Sequence, residues 1–140
     1  MTPIDLPSPK ATILITDDDP TLRAIGAELL GGEGYRVLEA EDGDEALRLI
    51  GEEQVDLLIL DMLMPNKDGL ETIMELRRSG SAVRILAISS GGSMDIDTLL
   101  RSAMIFGADR IMSKPLPISS FATTIAEMLE IPAVQNSVFR

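Results

Sequence analysis

The sequence contains neither cysteine nor histidine, and aromatic residues make up only 3% of it. The absence of cysteine excludes disulfide bonds and thiolate metal sites. The absence of histidine excludes His-based catalytic triads, the usual zinc sites and any phosphohistidine on this chain. Because aromatic rings are scarce, a core must be built from aliphatic side chains and from the 8 methionines.

Basic residues are also few, since 12 Lys and Arg stand against 23 Asp and Glu for a formal net charge of −11. A chain with this charge is not expected to hold nucleic acid or an anionic membrane by charge alone. The sequence offers no apolar stretch of membrane-spanning length, and its proline-containing first ten residues do not resemble a signal peptide. We therefore expect a soluble, cytoplasmic protein with no nucleic-acid or membrane partner.

The 140 residues, 45% of them hydrophobic, suffice for one domain with a real core. Five short apolar runs, typical of β-strands, alternate with five segments whose apolar residues recur at helical spacing. The third and fourth runs are apolar on both faces, as in the central strands of a parallel sheet. The runs lie at residues 13–15, 35–38, 55–60, 83–88 and 110–112, and the helical sets at 22–30, 46–50, 70–77, 96–104 and 121–129.

Helix boundaries support this alternation. Asp19 and Pro20 predict an N-cap followed by proline at the first helical position, Gly107 can end the fourth helix, and Ser119 or Ser120 can cap the fifth. Five βα units joined by right-handed crossovers predict an α/β three-layer sandwich, in which one parallel sheet lies between two layers of helices.

Polar side chains follow the predicted strands at the points where they end. Asp17 and Asp18 follow the first strand, Asp61 the third, Ser89 the fourth and Lys114 the fifth. The carboxyl ends of parallel strands meet at one edge of the sheet, where ligands of such folds bind. Converging carboxylates repel one another unless a cation joins them, and oxygen ligands suit Mg²⁺. The sequence therefore predicts a magnesium site in which the ion and Lys114 neutralise three carboxylates.

This predicted group of side chains suits phosphoryl transfer onto a carboxylate. Asp61 needs no general base, because it is already ionised at neutral pH. The hydroxyl of Ser89 and nearby backbone N–H groups could hold the charge that the phosphoryl group adds. Taken singly, each residue has a structural alternative: Asp19 is interpreted as a helix cap, Asp61 could belong to a turn, Lys114 could be a solvated charge, and Ser89 could bond local backbone.

These residues closely resemble the pattern of the CheY-like receiver domain of two-component response regulators. The acidic pair Asp17-Asp18 comes first, and residues 61–69 fit the family's D-x-x-M-P-x-x-x-G pattern around the phosphoacceptor Asp61. Ser89 stands at the family's switch Ser or Thr, and Lys114-Pro115 matches its Lys-Pro pair. The resemblance covers about residues 11–130, and residues 1–10 and 131–140 are interpreted as tails.

The resemblance implies a doubly wound, five-stranded sheet of flavodoxin-like order that serves phosphorelay signal transduction. Asp18, Asp61 and the backbone carbonyl of Leu63 would ligate Mg²⁺, with Asp17 acting through a bound water. The donor would be a sensor histidine kinase or a histidine phosphotransfer protein. Ten residues after the last helix are too few for an output domain, so a stand-alone phosphoprotein is expected. It would signal to a downstream protein or a homodimer through the fourth helix, fifth strand and fifth helix.

Three features differ from the family pattern. Ile111 stands where relatives often carry an aromatic residue, so a swinging ring coupled to Ser89 is not predicted. Leu63 is often polar in relatives, so water access to an acyl phosphate is expected to differ. The loop at Ser89-Ser90-Gly91-Gly92-Ser93 looks long, and added flexibility is expected beside the fourth helix.

Two other functions compete with this interpretation. A pseudo-receiver would bind a partner without phosphorylation, but Asp18, Asp61 and Lys114 are all present. An aspartate-nucleophile phosphohydrolase of the haloacid dehalogenase type would also use a strand-end Asp, Mg²⁺ and Lys. Asp17, Asp19 and Thr21 satisfy the spacing of its D-x-D-x-T motif, so the motif does not separate the two families, but the chain leaves no room for a cap domain. The protein is therefore not expected to be an enzyme, beyond catalysing its own phosphorylation and dephosphorylation.

Overall fold

The computed structural model describes residues 9–64, 68–89, 96–114 and 118–137. Strands and helices alternate along the chain, as the sequence predicts. The strands are β1 (Thr12–Thr16), β2 (Arg36–Ala40), β3 (Leu57–Asp61), β4 (Arg84–Ser89) and β5 (Arg110–Ser113). The helices are α1 (Pro20–Gly32), α2 (Gly43–Glu52), α3 (Gly69–Arg78), α4 (Ile96–Phe106) and α5 (Ile118–Ser137).

The five strands form one parallel sheet in the order β2-β1-β3-β4-β5. The expected doubly wound, flavodoxin-like α/β fold is therefore confirmed. The chain first winds from β1 to β2 at one edge and then back past β1 to β3, so β1 and β3 flank the switch point where ligands bind in such sheets. The register aligns the ends of the strands, since Thr16 pairs with Leu60, Asp61 with Ile88, and Ser89 with Ser113.

Aliphatic side chains on the two faces of the sheet form two separate cores. Every residue of β1 and β3 is buried, as expected of strands covered by helices on both sides. Leu14, Leu58 and Leu60 pack on one face with residues of α2, α3 and α4. Ile13, Leu57 and Ile59 pack on the other face with residues of α1 and α5. The strands that carry the carboxylates are thus held between two buried, aliphatic cores.

The side of α1 that packs on the sheet differs from its predicted apolar stripe. Leu30 is buried, but Leu22 and Ile25 are 42% and 51% exposed. Gly26 faces the sheet instead, since a Cβ at that position would lie 3.0 Å from Cδ1 of Ile15. The absence of a side chain lets the helix approach β1 closely, and this turns the larger residues outward.

The ends of the helices confirm one predicted cap and correct another. The side chain of Asp19 accepts hydrogen bonds from the N–H groups of Thr21 and Leu22, so this residue is the N-cap of α1. Helix α5 already begins at Ile118, so Ser119 and Ser120 lie inside its first turn and do not cap it. The same helix continues to Ser137 and is longer than the sequence predicted.

Helix α4 ends at Phe106, and Gly107 follows with a φ of 128°, as the sequence predicts. Its apolar set is not wholly core, since Met104 is 43% exposed while Leu100 and Ala103 are buried. In the part of the chain that the structure describes, no helix combines the length and the apolar character needed to cross a bilayer.

Candidate functional site

Three carboxylates meet at the carboxyl edge of the sheet. Asp17 follows β1 and is 3% exposed, Asp61 ends β3 and is 5% exposed, and Asp18 is exposed to solvent. One carboxylate oxygen from each of these residues lies within 4.8 Å of the others. The convergence predicted from the strand ends is therefore present in the fold.

Lys114 joins the two buried carboxylates. Its Nζ lies 2.9 Å from Oδ2 of Asp17 and 3.4 Å from Oδ2 of Asp61. The backbone N–H of Lys114 donates to the carbonyl of Ser89 at 2.8 Å, which fixes the start of this side chain beside the end of β4. The ammonium group thus reaches across the strand ends from β5 toward β1 and β3.

Backbone N–H groups complete the shell around the buried carboxylates. Oδ1 of Asp17 accepts the N–H of Asp19 at 2.9 Å, and Oδ1 of Asp61 accepts the N–H of Leu63 at 3.1 Å. Both carboxylates therefore bind one backbone N–H and one charged nitrogen. These bonds orient the side chains before any ligand arrives.

Burial raises the pKa of Asp61 from 3.8 to about 6, and the charge of Asp17 adds to this effect. The N–H of Leu63 and the ammonium of Lys114 oppose the increase but do not cancel it. Burial by itself would lower the pKa of Lys114, but its bonds to Asp17 and Asp61 and their charges together raise it. The lysine therefore stays charged, while Asp61 lacks enough positive charge to restore its ordinary pKa.

The donor set fits a small divalent cation. Asp17, Asp18 and Asp61 carry −3 when ionised and Lys114 carries +1, so the site has an excess of −2. All three candidate ligands offer oxygen, and Asp18 opens the site to water, as suits an ion that keeps part of its hydration shell. Burial raises the pKa of Asp61, and a bound cation would favour its ionised form.

Ser89, Leu63 and Ile111 also lie where the strand order predicts. Ser89 ends β4 and is fully buried, while Leu63 and Ile111 are each 39% exposed. The segment after Ser89 that was interpreted as a long loop, and also Pro65 and Pro115, lie outside the described residues.

Sequence reasoning missed Arg23, and it recognised Gly69 only as part of a motif. Nη1 of Arg23 donates to the backbone carbonyl of Asp17 at 2.8 Å. A Cβ on Gly69 would lie 2.7 Å from Cα of Met62 and 2.9 Å from the carbonyl oxygen of Asp61. No local pattern marks an arginine in a first helical turn as a contact of the site, whereas a glycine after an acidic strand end is a recognisable signal.

A family model described as "Response regulator receiver domain" matches residues 13–126. The chain belongs to this family. The receiver domain is 41% identical over 103 residues to the transcriptional regulatory protein CpxR of Klebsiella pneumoniae, an alignment that covers 74% of this chain and 42% of CpxR.

Solved structures agree with this assignment. The receiver domain of NtrX from Brucella abortus is 27% identical with a TM-score of 0.78, and the match covers 85% of this chain and 98% of that structure. The chemotaxis protein CheY4 of Vibrio cholerae is 26% identical with a TM-score of 0.75, and the match covers 85% and 98% of the two chains. The receiver domain spans less than half the length of CpxR, so the activity of a longer protein is not carried over from that relative.

Proposed function

We propose that Asp61 accepts a phosphoryl group in a Mg²⁺-dependent reaction and that this modification controls signalling. The observation that carries the proposal is the Asp17–Asp18–Asp61 cluster joined by Lys114, whose Nζ lies 3.4 Å from Oδ2 of Asp61. Membership of a two-component signalling family supports the same chemistry.

Each member of the site has a distinct task in this reaction. A carboxylate oxygen of Asp61 forms the new bond to phosphorus, and the bond between phosphorus and the donor breaks, its electrons leaving with the donor group. Lys114 supplies positive charge to the phosphoryl oxygens, and the buried Ser89 hydroxyl binds one of them after transfer. Asp18, Asp61 and the carbonyl of Leu63 would hold Mg²⁺, with Asp17 acting through water. The ion would neutralise charge on the transferred group.

The chain has no histidine and so cannot itself carry a phosphohistidine, and we propose a sensor histidine kinase or a histidine phosphotransfer protein as the donor. The output surface is proposed to be α4-β5-α5, for a downstream protein or a homodimer. Ile105 on α4 is 78% exposed and Ile111 on β5 is 39% exposed, so this face offers apolar contacts to a partner. The stand-alone organisation, the cytoplasmic location and the absence of a nucleic-acid partner stay predictions.

The two competing functions are distinguished by their chemistry. A pseudo-receiver that binds a partner without phosphorylation has no need of Lys114 bridging Asp17 and Asp61. A phosphohydrolase would turn over small phosphate esters many times, whereas a receiver stops at one acyl phosphate per chain and loses it slowly.

Intact-mass measurement after incubation with acetyl phosphate and Mg²⁺ tests the proposal. We expect one added phosphoryl group on the wild-type chain and none in Asp61→Ala, with none in either protein when EDTA replaces Mg²⁺. An adduct that persists in Asp61→Ala would assign the phosphoacceptor elsewhere. Beryllofluoride with Mg²⁺ gives a second test, because a pseudo-receiver would show no spectroscopic or calorimetric response to it.

A further inference from the structure

Arg23 projects from the fixed start of α1 toward the end of β1. The carboxylate of Asp19 accepts the N–H of Thr21 at 2.9 Å, and the backbone N–H of Arg23 donates to the carbonyl of Asp19 at 3.0 Å. This first turn is therefore set by its own hydrogen bonds. The side chain of Arg23 starts from a defined point only a few residues from the candidate metal site.

The guanidinium of Arg23 makes two contacts that tie α1 to the neighbouring strands. Nη1 donates to the backbone carbonyl of Asp17 at 2.8 Å, and Nε lies 3.3 Å from Oε1 of Glu39 on β2. The Arg23 side chain is only 18% exposed. A hydrogen bond from a charged, largely buried donor is among the stronger bonds that a carbonyl can accept.

Asp17 is consequently bound at four points. Its N–H donates to the carbonyl of Ala40 at 3.1 Å, and its carbonyl accepts from Arg23 at 2.8 Å. Its two carboxylate oxygens accept from the N–H of Asp19 and from Nζ of Lys114, each at 2.9 Å. Of these four bonds, the one from Arg23 holds the peptide group that leads directly into Asp18.

Because Arg23 is positively charged, its two possible roles predict opposite changes in Mg²⁺ affinity when it is replaced by a neutral residue. A positive group near a cation site weakens cation binding through space, although the paired Glu39 offsets part of this effect. An arginine that acts only by its charge would therefore oppose the metal. An arginine that acts by holding the Asp17 peptide would favour it.

We propose that Arg23, held by Glu39, is a positioning residue for the metal site. Its bond to the carbonyl of Asp17 fixes the peptide that presents Asp17 and Asp18 to Mg²⁺. This inference rests on the proposed function, because it concerns the same site.

Calorimetric titration of the metal-free chain with Mg²⁺ tests the inference, since the chain has no Trp to report binding by fluorescence. Loss of a group that orients a metal ligand costs about 10- to 100-fold in affinity. We expect Arg23→Met to bind Mg²⁺ about tenfold more weakly than wild type, and Arg23→Lys, which keeps the charge, to recover part of the loss. The matched control is Arg48→Met, which removes an equal charge from an exposed arginine of α2 and should bind like wild type.

Two further readouts separate positioning from a general loss of structure. In the metal-free protein, the amide protons of Asp17 and Asp19 should exchange faster in Arg23→Met than in Arg48→Met. At saturating Mg²⁺, the rate of phosphorylation by acetyl phosphate should return close to the wild-type rate, because the defect lies in holding the ion.

Binding of Mg²⁺ by Arg23→Met that equals or exceeds wild-type affinity would overturn the inference, since that is the result expected from charge alone. Should Arg23→Met fail to fold, as judged by circular dichroism, Arg23→Gln serves instead, and the same decrease in Mg²⁺ affinity is expected. Failure of the wild-type chain itself to bind Mg²⁺ would instead overturn the proposed function.

Discussion

Replacement of Asp61 by Asn should stabilise the metal-free protein at neutral and alkaline pH. The pKa of Asp61 is about 6 in the folded chain against an ordinary value of 3.8, chiefly because the carboxylate is buried. One pKa unit corresponds to about 1.36 kcal/mol, so ionising this side chain costs the folded state about 3 kcal/mol. Asparagine has nearly the same shape and carries no charge, and it therefore avoids this cost.

The pH dependence has a definite sign. The folded pKa of Asp61 is raised, so the contribution of this group to the free energy of unfolding is fully present below about pH 4 and is lost as the pH rises through about 6. The asparagine side chain of the variant does not titrate. The advantage of Asp61→Asn should therefore be small at pH 4, grow between pH 4 and about 7, and level off above that range.

Urea denaturation followed by circular dichroism at several pH values, in the presence of EDTA, measures this difference. Glu28→Gln is the matched control, because it removes one carboxylate from the exposed surface of α1. Addition of Mg²⁺ should stabilise the wild-type chain and narrow the gap, because a ligand that binds only the folded state shifts the unfolding equilibrium. An Asp61→Asn variant no more stable than wild type at pH 8, or a gap independent of pH, would refute the reasoning.

Three other substitutions probe the packing and hydrogen bonding of the fold, each measured by urea denaturation. Within the described residues, the buried Thr16 hydroxyl has no hydrogen-bond partner, so Thr16→Val should stabilise the chain by about 1 kcal/mol; a loss of stability would indicate an unseen partner. Gly69→Ala should destabilise by about 1–3 kcal/mol, because the new Cβ meets the backbone of Met62; a neutral effect would mean that this loop yields easily. Arg77 donates to the carbonyls of Ser81, Val83 and Gly107, so Arg77→Met should cost about 3 kcal/mol, and a cost below about 1 kcal/mol would contradict this role.

The expected gain in Asp61→Asn reflects a conflict between stability and function. On the proposed function, burial shields the reacting carboxylate from water, yet burial disfavours its charged form. Lys114 relieves only part of this cost, since its contact with Asp61 is longer than its contact with Asp17. On the proposed function, Mg²⁺ would supply further positive charge to the acidic cluster.

The sequence by itself determined the order of the strands and helices and the residues that stand at the strand ends. Those features depend on local periodicity, on capping residues such as Asp19, and on the D-x-x-M-P-x-x-x-G pattern after β3, all of which can be read within a few residues. The right-handed crossover rule then places Asp17, Asp61 and Lys114 at one edge of the sheet without any coordinates.

Only the tertiary structure decided how those residues interact. Lys114 lies 97 residues from Asp17 and 53 residues from Asp61 along the chain, so no local pattern sets their distances. The pKa of Asp61 depends on burial, which arises when all five strands are assembled. The side of α1 that faces the sheet was likewise decided by packing, because periodicity identifies an apolar stripe but not the close approach that Gly26 allows.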